Sequence, residues 1–181
     1  MTIAALILPL ALLQAEQAAP SADDRFERCV ARIDDDAAQA YEDAMVWAAE
    51  GHTVNAYRCA AMALIAQNRY DDGATRLQSL ASAVNPENTG LRAALWSQAG
   101  NAWLLAREPG NARSNFTRAI TALQADPRYG PAYLGRANLY RAQGNYQEAF
   151  SDLEQAIRLS PESAQPYHSR GLLYQRQGQH K

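Results

Sequence analysis

From residue 21 onward, small and apolar residues recur at the three-to-four spacing of an α-helix, broken at intervals by short polar turns. One stripe runs through Ala37, Ala40, Tyr41, Ala44, Met45 and Ala48, with the acidic run Asp34–Asp36 as its cap and Gly51 as its stop. A shorter segment, DRFERCVARI, precedes it and predicts a partner helix, giving an N-terminal hairpin. Next come Tyr57, Ala61 and Leu64, the turn NRYDDG, and then Gly73, Leu77 and Leu80. Trp96, Gly100 and Trp103 open the following unit, and Ala112, Phe116 and Ala119 complete it. Tyr133, Ala137 and Tyr140 precede a Gly144-Asn145 turn and a second stripe of Ala149, Leu153, Ala156 and Ile157. Alanine is abundant, β-branched residues are sparse, and Gly and Pro fall mainly at the ends of these runs. Helix is thus favoured everywhere, and the pattern predicts an all-α protein.

The stripes also repeat one another. Tyr167, Gly171 and Tyr174 copy Tyr133, Ala137 and Tyr140, and Gly178 copies Gly144. The small residues step by 39 from Ala61 to Gly100, 37 from Gly100 to Ala137 and 34 from Ala137 to Gly171. Pro86, Pro127 and Pro161 close successive units, while NPENTG lengthens one loop and TALQADP one second helix. In these residues, from about Val54 to the end, the chain resembles the tetratricopeptide-repeat family, whose units carry an aromatic, a small residue and a second aromatic on helix one, Ala and Phe on helix two, and a closing Pro. The resemblance implies a right-handed superhelical solenoid in which no pair of helices buries its apolar face alone and each stacks on its neighbours. The expected organisation is a signal segment over 1–19, an N-terminal helical cap over 20–53, repeats over 54–92 (degenerate), 93–129 and 130–163, and a C-terminal solvating helix over 164–181. Trp96, Trp103, Tyr140 and Tyr174 are expected to serve packing.

The first residues differ from the rest. The apolar run Ile3–Leu13 has the length of a signal-peptide core and is too short to span a bilayer, although no basic side chain precedes it. Cleavage after Ala15, Ala18 or Ala19 leaves a small residue before the cut, with Ala15 preferred; the alternative is a buried N-terminal helix. Export, most naturally to a bacterial periplasm, is the expectation, with no membrane span in the mature chain. Cys29 and Cys59 are the only cysteines, and in an exported protein a pair of this kind is expected to form a disulfide rather than remain as two buried thiols.

Composition and charge narrow the function. At 181 residues, 48% hydrophobic and 20% charged, the chain is long enough for a real core. The sequence contains no phosphate loop, nucleophile motif or buried carboxylate pair, so neither an enzyme nor a cofactor is expected. His52, His168 and His180 lack metal-ligand spacing with each other or with the cysteines. The Asp34–Asp36 run reads as a cap rather than a cation site.

A net charge of −2 conceals an asymmetry: residues 1–50 hold ten acids against three Arg, and the remainder nine acids against fourteen Lys and Arg. The expected first helices and their edges carry Arg58, Arg69, Arg92, Arg107, Arg136, Arg141, Arg170 and Arg176. In the resembled family these helices line the concave surface, which implies a basic groove for a protein or peptide partner, acidic in character. Nucleic acid is not expected, because the charge is modest and the aromatics serve the core. Asn101 and Asn138 follow Gly100 and Ala137 at matching places, where amides can hold an extended main chain without regard to its side chains; solvated or packing asparagines are the alternative. Arg141 and Arg58 are expected to add a preference for acidic ligands, although Gln165 and Ser169 stand where a full carboxylate clamp would have basic residues. The function expected is a non-catalytic interaction scaffold of the cell envelope, with a permanent structural or assembly-factor subunit as the alternative. Export is checked by the intact mass of protein recovered from its native compartment, which is expected to lack Met1–Leu13; a mass retaining them refutes it.

Overall fold

The computed structural model describes residues 21–51, 53–123, 130–176 and 178, and the expected signal segment and Pro127 lie outside these. Among the described residues the regular elements are nine helices: α1 (Ala22–Asp35), α2 (Ala37–Gly51), α3 (Val54–Ala66), α4 (Tyr70–Ala83), α5 (Thr89–Leu105), α6 (Pro109–Leu123), α7 (Gly130–Ala142), α8 (Tyr146–Leu159) and α9 (Ala164–Arg176). Each packs on the next along the chain, and α1 with α3, α5 with α7 and α7 with α9 also touch. Such contacts make a solenoid of paired helices, with the odd-numbered helices as one layer.

Local chemistry sets where the helices start and stop. Ser21 and Asp24 form a reciprocal capping box at α1, each backbone N–H bound by the other's side chain at 3.1 Å. Thr53 caps α3 and Asn88 caps α5 through side-chain oxygens. Because Asn88 starts α5 at Thr89, the expected boundary at 92/93 falls inside that helix. The acidic run also divides differently from expectation. Asp34 and Asp35 end α1, and Asp36 alone caps α2, accepting from the Ala38 and Gln39 N–H groups at 3.1 and 3.0 Å.

One turn recurs inside the pairs. Asn68 (φ 62°), Arg107 (φ 61°) and Gly144 (φ 79°) each adopt the left-handed region, and Gly178 (φ 68°) follows α9 in the same register. After each of the first three, an N–H returns to the preceding helix, Arg69 to Leu64, Glu108 to Trp103 and Asn145 to Tyr140, all at 2.9 Å. This hydrogen bond satisfies a carbonyl left open at the helix end and reverses the chain. Arg107 performs there, with a side chain, what Gly144 does freely.

The core is built of alanines and a few large residues. Ala61, Ala99, Ala112 and Ala149 have no exposed surface, which lets helix axes approach closely. Phe116, also wholly buried, fills the gap between two pairs. A methyl group added at Gly100 would lie 2.7 Å from its ring, and one at Gly135 only 2.5 Å. The ring therefore touches α5 and α7 where neither helix carries a side chain. Trp96 is 4% exposed, and Trp103, Tyr140 and Tyr174 are partly buried against the clusters. Tyr174 meets Phe150 with ring centres 4.9 Å apart.

At the N-terminal end, Cys29 of α1 and Cys59 of α3 are joined in a disulfide with Cα atoms 6.3 Å apart. It closes a sequence separation of 30, worth about 3 to 4 kcal/mol on the chain-entropy estimate. Phe116→Ala is expected to lower unfolding free energy by about 3 to 5 kcal/mol, measured by urea denaturation; a loss under about 1 kcal/mol would show that the ring is not the pin between repeats.

Candidate functional site

The helix layer formed by α5, α7 and α9 encloses a groove of about 490 Å³. Asn101 enters it from α5; Pro131, Leu134, Gly135 and Asn138 from α7; Ala164, Gln165, His168 and Ser169 from α9. Asn101 and Asn138, expected from the sequence as a matched pair, thus line one groove, the first exposed and the second half-buried. Gln165 and Ser169, singled out above as departures from a basic clamp, line it too, so three consecutive odd helices each present an amide. Leu134 and Pro131 were legible by projection, since they lie four and seven residues before Asn138 on one helical face. His168 had no such signal before α9 was placed.

The groove is not basic. None of its lining residues is Lys, Arg, Asp or Glu, and five of the arginines on or beside the first helices have partners within the chain. Arg136 meets Asp152 in a two-pronged ion pair at 2.7 and 2.8 Å, reaches Thr117 at 3.3 Å, and lies 5.8 Å from the ring centres of both Tyr133 and Tyr140. Its hydrogen bonds to Asp152 hold the guanidinium above its ordinary value despite burial. Arg69 pairs with Asp72 at 2.7 Å, Arg92 donates to the Ala81 carbonyl at 3.2 Å, and Arg170 stacks on Tyr167. Arg58 does not reach the groove. Its Nε donates to Gln98 at 3.2 Å, the guanidinium lies 4.8 Å over Phe26, and burial pulls it below its ordinary value. Arg58 therefore joins the N-terminal hairpin to α3 and α5. Arg141 stands one turn beyond Asn138, and its buried Nε has no hydrogen-bond partner among the described residues.

Comparison with known proteins agrees with this architecture. A family model described as TPR repeat matches residues 137–178. Within 137–178 the chain thus carries a tetratricopeptide repeat. Its solenoid is similar to the solved structure of MamA residues 41 to the end from Desulfovibrio magneticus RS-1, at 18% identity and a TM-score of 0.66, covering 88% of this chain and 85% of that one. A crystal structure of MamA matches at 19% identity and a TM-score of 0.65, with 82% of each chain covered. No curated protein matches the chain.

Repeats of this family are protein-interaction scaffolds that bind protein partners. Among the described residues no helix is long and apolar enough to cross a membrane, and no group of three or more His, Cys, Asp or Glu is placed to hold a metal ion. Asp152→Ala strands the Arg136 guanidinium in a largely buried place and is expected to cost about 3 kcal/mol, with most of it recovered by pairing Arg136→Met with Asp152→Leu. Urea denaturation checks both; equal losses in the two variants would show that packing, not the ion pair, is at stake.

Proposed function

We propose that the groove of α5, α7 and α9 holds an extended peptide segment of a partner protein by its main chain. The observation that carries this is the alignment of three amides, Asn101, Asn138 and Gln165, along one groove. Each amide can donate to a peptide carbonyl and accept from a peptide N–H, so successive amides read the backbone and leave side-chain choice to the apolar wall of Leu134 and Pro131. An extended segment presents such groups along its length, and a groove without fixed charge imposes no large desolvation cost on it. Charge enters only through Arg141, whose unpartnered Nε lies a turn beyond Asn138 and favours an acidic residue at one end of the ligand.

The setting we propose is an exported one, the bacterial periplasm. The apolar run Ile3–Leu13 supports it, and so does the Cys29–Cys59 disulfide, which persists where thiols are oxidised. The protein acts there as a scaffold without chemistry of its own.

The test begins with partners captured by the full chain from an envelope fraction and identified by mass spectrometry. Asn101→Ala combined with Asn138→Ala is expected to weaken partner binding by about tenfold to a hundredfold, at one to two hydrogen bonds of about 1 kcal/mol each with their unmet counterparts. Helicity and melting temperature stay near those of the parent, and Arg141→Ala reduces the salt dependence of binding. Unchanged affinity in the double variant moves the binding surface away from this groove.

A further inference from the structure

The fold brings together what the sequence keeps scarce. Residues 1–50 contain only three basic side chains, Arg25, Arg28 and Arg32, and all three line a single cleft of about 240 Å³ between α1 and α2, faced by Asp43 and Trp47. The cleft shares no residue with the amide groove. Arg25 is held within the chain: it pairs with Glu50 at 2.8 Å and lies 5.0 Å over the Trp47 ring.

Arg28 and Arg32 are different. Both are exposed, and among the described residues neither side chain has a hydrogen bond, ion pair or ring contact. They stand four residues apart on α1, where like charges repel. Asp24, one turn from Arg28, binds the Ser21 N–H at 3.1 Å, and Asp36, one turn from Arg32, binds the Ala38 and Gln39 N–H groups at 3.1 and 3.0 Å; Asp35, also one turn from Arg32, forms no ion pair with it. Asp43 accepts from Gln39 Nε2 at 2.8 Å. Val46, next to Trp47 in the chain and outside the lining of the cleft, is 63% exposed, the largest exposure among the described large hydrophobic residues.

We propose that this cleft docks an acidic segment of a partner protein, with two of its carboxylates against Arg28 and Arg32 and an apolar neighbour over Val46. Four residues along a helix span about 6 Å, close to the roughly 6.7 Å between alternate residues of an extended strand. Carboxylates at alternate positions of an extended segment therefore meet both guanidinium forks, each able to bind in a two-pronged way. A free small anion is the poorer occupant, because exposed arginines in salt hold it weakly, whereas a docked segment brings apolar surface that excludes water around them. The surrounding acids of the hairpin reject long polyanions and so restrict the ligand to a short acidic stretch.

The experiment uses the full chain and a labelled peptide of alternating Glu and Ala, followed by fluorescence anisotropy, with an alternating Gln and Ala peptide as control. The Glu peptide is expected to bind with an affinity that falls as salt rises. Arg28→Gln with Arg32→Gln is expected to weaken it at least about tenfold, Val46→Ser to weaken it less, and Arg107→Gln, in an exposed turn elsewhere, to leave it unchanged. Equal loss from Arg107→Gln, or binding of the Glu peptide no better than the control, overturns the proposal. Displacement by inorganic phosphate at equal concentration makes the cleft a free-anion site and also overturns it. Self-association of the parent chain that the double variant abolishes assigns the surface to a second copy instead.

Discussion

One aromatic ring between two helices without side chains at the point of contact holds the repeats in register. Phe116 touches Gly100 of its own helix pair and Gly135 of the next, so close that a single methyl group at either place would overlap it. A packed interior tolerates such an approach only in one arrangement, because neither helix can slide without opening a void or a clash. The neighbouring contacts share this geometry. Leu139 and Ala112 pack with Phe116, and the partly buried Trp103 closes over the same cluster.

The polar contacts stabilise this arrangement in a second way. Gln78 of α4 accepts from the indole of Trp103 on α5 and from Asn115 on α6, at 3.3 and 3.1 Å, linking two successive helix pairs by directed bonds. Arg136 does the same for α6, α7 and α8 through Thr117 and Asp152. Since these groups lie in or near the interior, each bond left unmade would be costly. The bonds therefore favour one stacking of repeats over other stackings that bury similar apolar area. The consequence for function is indirect but specific: arginines turned inward for this purpose are absent from the groove.

Much of the fold was legible along the chain. The stripes from Ala37 to Ala48 and from Tyr133 to Ile157 lie on α2, α7 and α8, and the turns at Asn68 and Gly144 fall where polar or glycine residues interrupt them. Arg107 was not legible as a left-handed turn residue, because an arginine carries no local signal for that backbone; its neighbours impose it. The asparagines of the groove were visible as a repeat-to-repeat coincidence. The absence of arginine from the lining of the amide groove was not legible, since counting arginines on a helix does not say which of them meets an acid or an aromatic ring on another.

The sequence by itself determined the helical period, many of the places where helices begin and end, the kind of repeat and the small residues that permit close packing, because all of these depend on residues a few positions apart. The tertiary structure decided the rest. Which glycine receives Phe116, which arginine is neutralised by Asp152 or stacked on Phe26, and which amides share a groove are matters of contact between residues far apart in the chain. The same composition could be paired in several ways, and only packed geometry selects one.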